Sequence, residues 1–280
     1  MATGIVVRVI ADHINHKTTD PAVVVVDDAS RFAISLLSGH IGGANELAIT
    51  VSNIINGIPV ITTATDVNHL PAIDIIAKKN NLIIENTNFI KTVNMGFLKK
   101  QKFFFHDPYN IIKSQIPEIF LEDYEKKNNN KTAIIVDYKI HDCSKNTLYL
   151  RPQMLSVGIG CNRGTPKDEI KIFLEQICQS QKISLLSIKN LATIDIKKDE
   201  KGIIELGTEL NIPIIFYTKE ELNSVVSIEN PSVYAKKYTG ARSVCEASAI
   251  LASNQGALIL AKKKTPNVTI AIAREKICSM

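Results

Sequence analysis

Tryptophan is absent from this chain and aromatic residues make up only 6% of it, so the stacking platforms that hold single-stranded nucleic acid are missing. No apolar run approaches the roughly eighteen residues that a membrane span requires. The opening residues, Met1-Ala2-Thr3-Gly4, lack the charged-then-apolar order of a secretion signal. Cys143, Cys161, Cys178, Cys245 and Cys278 form no C-x-x-C pair and no zinc-site spacing, so they read as reduced thiols. No His-x-x-x-His or His/Cys pair suggests a metal centre. Neither G-x-G-x-x-G nor a glycine loop ending in Gly-Lys-Ser/Thr occurs, which removes the dinucleotide and P-loop fingerprints. These absences leave a soluble cytoplasmic protein, with no nucleic acid or membrane partner, as the expectation.

What is present indicates a globular α/β chain. Hydrophobic residues fill 45% of 280 positions, enough to bury the cores of two domains. The formal charge of +5 and pI near 8.8 mildly favour an anionic partner, but the lysines are scattered. Residues 4–12 fit a strand or a helix equally well. Residues 22–26, 32–37 and 59–62 read as strands, the valine run at 22–26 having the pattern of a strand buried on both faces of a parallel sheet. A helix from about Gly43 is closed by Gly57, and another covers 73–79. Residues 86–152 change texture, with polar Lys/Asn stretches and an aromatic run at 103–105, and read as a smaller, less regular connecting segment. A second α/β unit follows, with a strand at 156–159, a turn at 160–165 and a helix capped by Thr165 with Pro166 at its first position. The expected architecture is two α/β domains with mainly parallel sheets, 1–85 and 153–280, joined by 86–152.

The stretch with the most chemistry is Ser38-Gly39-His40-Ile41-Gly42-Gly43-Ala44-Asn45-Glu46. Strand, glycine-rich turn and helix together present backbone N–H groups and the positive end of a helix to an anion. A tight connection without a ligand is the simpler account of such a cluster, but His40 adds a side chain that ordinarily titrates near neutrality. The second glycine turn, VGIGCNRGTP, has the same character, with Arg163 offering a planar fork to a carboxylate. Cys161 is more simply a small filler than a nucleophile, since no base neighbours it in sequence. The run at 195–200 reads as a solvated charged turn. Glu246 sits in an otherwise small and apolar helix, where a carboxylate is paired, functional or on the helix surface. Asp66 closes a threonine run at a strand end, where open parallel sheets place ligands.

The words SLLSGHIGGANELA and PVITTATD, with Asp20-Pro21-Ala22-Val23 before them, closely resemble the cobalt-precorrin-5A hydrolase family of anaerobic cobalamin biosynthesis. VGIGCNRGTP, LATIDIKKDEKG, CEASAIL and NVTIAIA resemble the C-terminal domain of the same family. The resemblance implies a hydrolase that opens the δ-lactone of cobalt-precorrin-5A with water and releases acetaldehyde, giving cobalt-precorrin-5B. A non-catalytic protein that binds or escorts a corrinoid intermediate is the alternative. The implied substrate is a tetrapyrrole that carries its own cobalt, so no cofactor and no protein metal ligand are expected. A homodimer, or contacts with other enzymes of the pathway, are the protein partners left open.

Among the positions that match the family motifs, side-chain chemistry makes His40, Glu46 and Glu246 the candidate catalytic residues, His40 as acid or base. Arg8, Lys17, Ser38, Gly39, Gly42, Gly43, Asn45, Thr63, Asp66, Gly160, Cys161 and Arg163 are candidate substrate contacts. A corrinoid precursor carries several carboxylates around a flat ring, and glycine turns with basic side chains can meet them. The N–H groups around Gly42 and Gly43 are the expected donors to an oxyanion. Family members carry a further opening βα unit before the ATGIVVR word. The chain is therefore expected to be a shortened form in which Gly4 opens a helix and the N-terminal domain is the less stable one.

Overall fold

The computed structural model describes residues 1–16, 19–40, 42–63, 70–126, 132–141 and 146–276. Helix α1, Thr3–Ile10, opens the chain and buries none of its residues. The valine run forms strand β1, Val23–Val26, as β-branched side chains favour. Its setting corrects the expectation: β1 lies at a sheet edge, pairs antiparallel with β2, Phe32–Leu37, and buries only Val25. Helix α2, Ala44–Ile55, then leads to β3, Ile58–Val60, which pairs parallel with β2. Asn56, with φ +53°, takes the left-handed position after α2 expected of Gly57. The N–H groups of Asn56 and Gly57 both reach Ser52 O.

Helix α3, Ile73–Lys79, strand β4, Leu82–Ile84, and helix α4, Ile90–Leu98, follow. The middle of the chain carries its own five-stranded sheet, in the order β4-β8-β7-β5-β6. Its other members are β5, Phe103–His106, β6, Leu121–Asp123, β7, Ala133–Val136, and β8, Thr147–Pro152. The aromatic run serves the core: Phe103 and Phe104 are buried, and Phe97 meets both Phe103 and Phe120 edge-on with ring centroids 5.1 Å apart. Aromatic quadrupoles favour that arrangement. The chain divides into two units, Met1–Ile135 with Ser144–Leu150, and Val136–Cys143 with Arg151–Met280.

The second unit is a mixed five-stranded sheet, ordered β11-β10-β9-β13-β12. Strands β9, Leu155–Cys161, β10, Ile188–Ile194, and β11, Ile214–Tyr217, run parallel. Strands β12, Ala257–Lys264, and β13, Val268–Arg274, close the sheet antiparallel. Between them lie helices α5, Lys167–Ser180, α6, Lys201–Leu210, α7, Lys219–Ser224, α8, Val233–Thr239, and α9, Cys245–Ala252. Helix α9 is buried along nearly its whole length, which its alanines, serine and cysteine permit. It rests so close to β9 that a Cβ on Gly158 would lie 1.8 Å from Cys245 O and 2.8 Å from Ala249 N. Two buried hydroxyls in this layer are satisfied: Ser248 Oγ donates to Ala192 O at 3.2 Å and Thr193 Oγ1 to Ile159 O at 2.7 Å, as burial of polar groups demands. Among the described residues no helix is long and apolar enough to cross a membrane.

Gly158→Ala tests this packing. The added methyl meets helix backbone, which cannot rotate away, so the substitution should destabilise the second unit by about 3 kcal/mol or more, the upper end of overpacking costs. Urea unfolding followed by circular dichroism measures it, and a loss under about 1 kcal/mol would refute so close a contact.

Candidate functional site

The first glycine turn reverses the chain between β2 and α2 by using its own carbonyls. Ala44 N donates to Ser38 O at 3.1 Å, Asn45 N to Gly39 O at 3.0 Å and Gly43 N to His40 O at 3.0 Å. These groups belong to the donors that a helix start leaves unpaired, and here the turn has already matched them. The expectation of an oxyanion donor at Gly43 is therefore corrected, and Gly42 remains the donor candidate of the pair. Gly42 is required by space, since a Cβ there would fall 2.3 Å from the Ser38 Cβ and 2.8 Å from Ser38 O. Ser38 takes φ +57°, unusual for a residue with a side chain, and its Oγ is buried without a hydrogen-bond partner among the described residues.

Asn45 binds the surroundings of the turn together. Its side chain is buried, accepts from Ser35 Oγ at 2.6 Å and donates to Thr63 Oγ1 at 3.1 Å. One amide thus joins β2, the start of α2 and the segment after β3. These contacts give Asn45 and Thr63 a bracing role in the fold.

Helices α3 and α4 supply what sequence reasoning missed. His40 Nδ1 lies 3.2 Å from Asp74 Oδ2, with the two side chains only 12% and 8% exposed. Asp74 Oδ1 accepts from Asn94 Nδ2 at 2.9 Å, and Asn94 Oδ1 accepts from Ile73 N at 2.9 Å. Burial pushes the Asp74 carboxyl up, but the hydrogen bonds from His40 and Asn94 outweigh it and hold the carboxyl below its usual range. Lys78, one turn along α3, brings Nζ to within 3.9 Å of where a Cβ on Gly43 would stand. A four-residue step along a helix puts Asp74 and Lys78 on one face, and that face meets the glycine turn. Only the acidic residue in the first turn of the 73–79 helix, a position its dipole favours, could have hinted at this.

The second glycine turn is closed by its own protein. Gly160 and Cys161 belong to β9, which corrects the expectation that the turn begins at Gly160. The residue with positive φ is Gly164, at +74°, and its N–H donates to Glu200 Oε1 at 2.8 Å. Glu200 is buried and its Oε2 accepts from Lys197 Nζ at 3.0 Å. Arg163 pairs with Asp199 and donates to Ile196 O at 3.2 Å. The run at 195–200 is thus no solvated turn; its buried Lys197 and Glu200 fold over the glycine turn and occupy the anion-seeking groups. Thr165 does not cap α5, since Pro166 holds that position and Thr165 Oγ1 donates to Asn162 O at 2.8 Å. Burial raises the Cys161 thiol above its ordinary range despite nearby Lys197, which keeps it protonated and a poor nucleophile.

The remaining candidates have surroundings of their own. Glu246 is fully buried; its oxygens accept from Asn230 N at 2.8 Å, Asn230 Nδ2 at 2.9 Å and Lys262 N at 2.8 Å. That corrects its catalytic candidacy to a tie between α9, β12 and the loop before α8. Glu46 is exposed in the first turn of α2, and its carboxylate takes none of the described hydrogen bonds or ion pairs. Gly39 packs its backbone against the Asn45 amide, while Arg8 is exposed in the last turn of α1. Lys17 and Asp66 lie outside the described residues.

Family models described as cobalamin synthesis G N-terminal, cobalamin biosynthesis central region and cobalamin synthesis G C-terminus match residues 1–66, 71–152 and 155–273. The chain is similar to the cobalt-precorrin-5A hydrolase of Priestia megaterium, 37% identical over 98% of this chain and 76% of the relative. It is also similar to the cobalt-precorrin-5A hydrolase of Salmonella typhimurium strain LT2, 33% identical over 97% of this chain and 79% of the relative. A crystal structure of a putative cobalamin biosynthesis protein G homolog from Sulfolobus solfataricus aligns with 99% of this chain and 81% of its own, at 25% identity and a TM-score of 0.39.

Two measurements probe the first turn. Because the folded Asp74 carboxyl is held low, it stabilises the fold above its unfolded value near 3.9, and that stability is lost as pH falls through the lower folded value. Asp74→Asn should therefore be less stable than the parent at pH 6, with the gap closing below about pH 4; a gap that widens with acid would reverse the assignment. Ser38→Gly removes both the unpaired hydroxyl and the positive-φ side chain, so thermal unfolding should show equal or higher stability, and a loss above about 1 kcal/mol would mean the hydroxyl has a partner.

Proposed function

The chain belongs to the cobalt-precorrin-5A hydrolase family, and from that membership we propose how its own residues carry the family's reaction. Cobalt-precorrin-5A takes up water at its δ-lactone. The acyl C–O bond breaks, leaving a carboxylate and a hydroxyl on the two-carbon unit. That unit then departs as acetaldehyde; the hydroxyl gives up its proton and the bonding pair stays with the macrocycle, giving cobalt-precorrin-5B. No electrons leave or enter, and the cobalt travels with the substrate, so we assign the protein no cofactor.

Water needs a base to attack the lactone carbonyl, and the departing hydroxyl needs the same kind of group to take its proton. We assign both tasks to His40. The observation that carries this reading is its hydrogen bond to the buried, ionised Asp74, within the SGHIGG turn of the family motif. Lys78 beside Gly43 is the cation we assign to a substrate carboxylate. Arg163, which pairs with Asp199, is a further candidate for that task. We place the reaction in the cytoplasm, as a step of small-molecule biosynthesis.

The test is to mix purified protein with cobalt-precorrin-5A and assay acetaldehyde. Catalytic release is expected, and His40→Ala should lower kcat by about 100-fold or more, the usual worth of a positioned acid–base group. Stoichiometric binding without acetaldehyde would favour an escort protein, and full turnover by His40→Ala would remove His40 from the chemistry.

A further inference from the structure

We infer that Asp74 and Asn94 are positioning residues of the hydrolase site that dictate which nitrogen of His40 carries the proton, an inference that rests on His40 being its acid–base group. The polarity of the chain of bonds follows from its far end. Ile73 N is a backbone donor, so the Asn94 atom facing it at 2.9 Å must be the amide oxygen. The Asn94 NH2 is then the group that meets Asp74, donating to Oδ1 at 2.9 Å. An ionised carboxylate only accepts, so across the 3.2 Å contact with Asp74 Oδ2 it is His40 Nδ1 that must hold a hydrogen. Nε2 is then the unprotonated nitrogen of the neutral ring, the one able to take a proton from water. The carboxylate thereby fixes the His40 tautomer, and the Ile73 N–H, acting through the Asn94 amide, holds that carboxylate in place. The arrangement uses the logic of a carboxylate that orients a catalytic imidazole, with the carboxylate itself oriented by an amide.

A merely structural role, in which Asn94 caps α3 and Asp74 fills space, predicts none of the following. In Asp74→Asn, Asn94 keeps its NH2 on the oxygen of residue 74, so the new amide turns its own NH2 toward His40. Nδ1 must then accept, and the neutral ring should switch to the Nε2–H tautomer. In the double exchange Asp74→Asn/Asn94→Asp, the carboxylate at 94 accepts from Ile73 N and from the amide at 74. The oxygen of residue 74 then faces His40 again, and the Nδ1–H tautomer should return.

The experiment reads the ring nitrogens of the full-length protein by 15N NMR and compares kcat and KM on cobalt-precorrin-5A. Asp74→Asn should switch the tautomer and lower kcat about 100-fold while KM changes less than about threefold. The double exchange should restore the tautomer and recover at least about tenfold of the lost kcat. An unswitched tautomer or full kcat in folded Asp74→Asn would overturn the inference, as would a double exchange that fails to restore the ring. If Asp74→Asn does not fold, Asn94→Ala keeps the carboxylate and should lower kcat about tenfold at unchanged KM, and full kcat there would overturn the role of Asn94. His40→Ala separates the two readings. Retained turnover in that variant sinks the acid–base reading and this inference with it, whereas lost turnover with full activity in Asp74→Asn sinks this inference alone.

Discussion

The first N–H groups of a helix have no partner within it, and the acceptors they find decide what this protein offers to a ligand. At α2 the acceptors are the carbonyls of Ser38 and Gly39, so the turn closes on itself. At α3 the acceptor is the Asn94 side chain, which then has its amide left to hold Asp74. In the turn before α5 the acceptor for Gly164 is Glu200. Each solution is local, but the second propagates: satisfying one backbone donor aligns an amide, a carboxylate and an imidazole. Both glycine turns resemble anion sites in sequence, yet in each the backbone has largely found its anion or carbonyl within the protein.

Two buried carboxylates show why partners matter more than burial. Glu246 is met by two backbone N–H groups and one amide, none of which can gain or lose a proton near neutrality. Its surroundings hold it still. Asp74 is met by an amide on one oxygen and an imidazole on the other, so a proton arriving at His40 changes the charge of its neighbourhood. A carboxylate among fixed donors braces a structure, while one facing an imidazole shares its surroundings with a group that can change charge.

Much of this was legible in the sequence, and what was not has a common cause. The strand, turn and helix around His40 could be read because glycine spacing and periodicity are local signals. The helix at 73–79 was also legible, but nothing in IDIIAKK reveals that its aspartate faces a histidine 34 positions earlier, because side-chain pairing across helices leaves no periodic trace. The valine run identified a strand but not its partner: four valines suit an antiparallel edge as well as a parallel interior. The acidic and basic residues at 195–200 have the composition of a solvated loop, and only the placement of Lys197 against Glu200 shows that two of them are core. Family motifs marked Asn45 and Thr63 as candidate substrate contacts, and the amide between β2, α2 and Thr63 gives each a bracing part that a motif cannot distinguish from ligand contact.

The seat of α9 on β9 also shapes how this protein can change over generations. Gly158, Cys245 and Ala249 share one contact in which backbone lies against backbone. Enlarging Gly158 demands a shift of the whole helix, and with it the Glu246 tie to β12. Substitutions here cannot accumulate one at a time, as they can on an exposed helix face. Gly158 is therefore tied to the position of α9 itself, and a library meant to diversify this domain would leave it untouched.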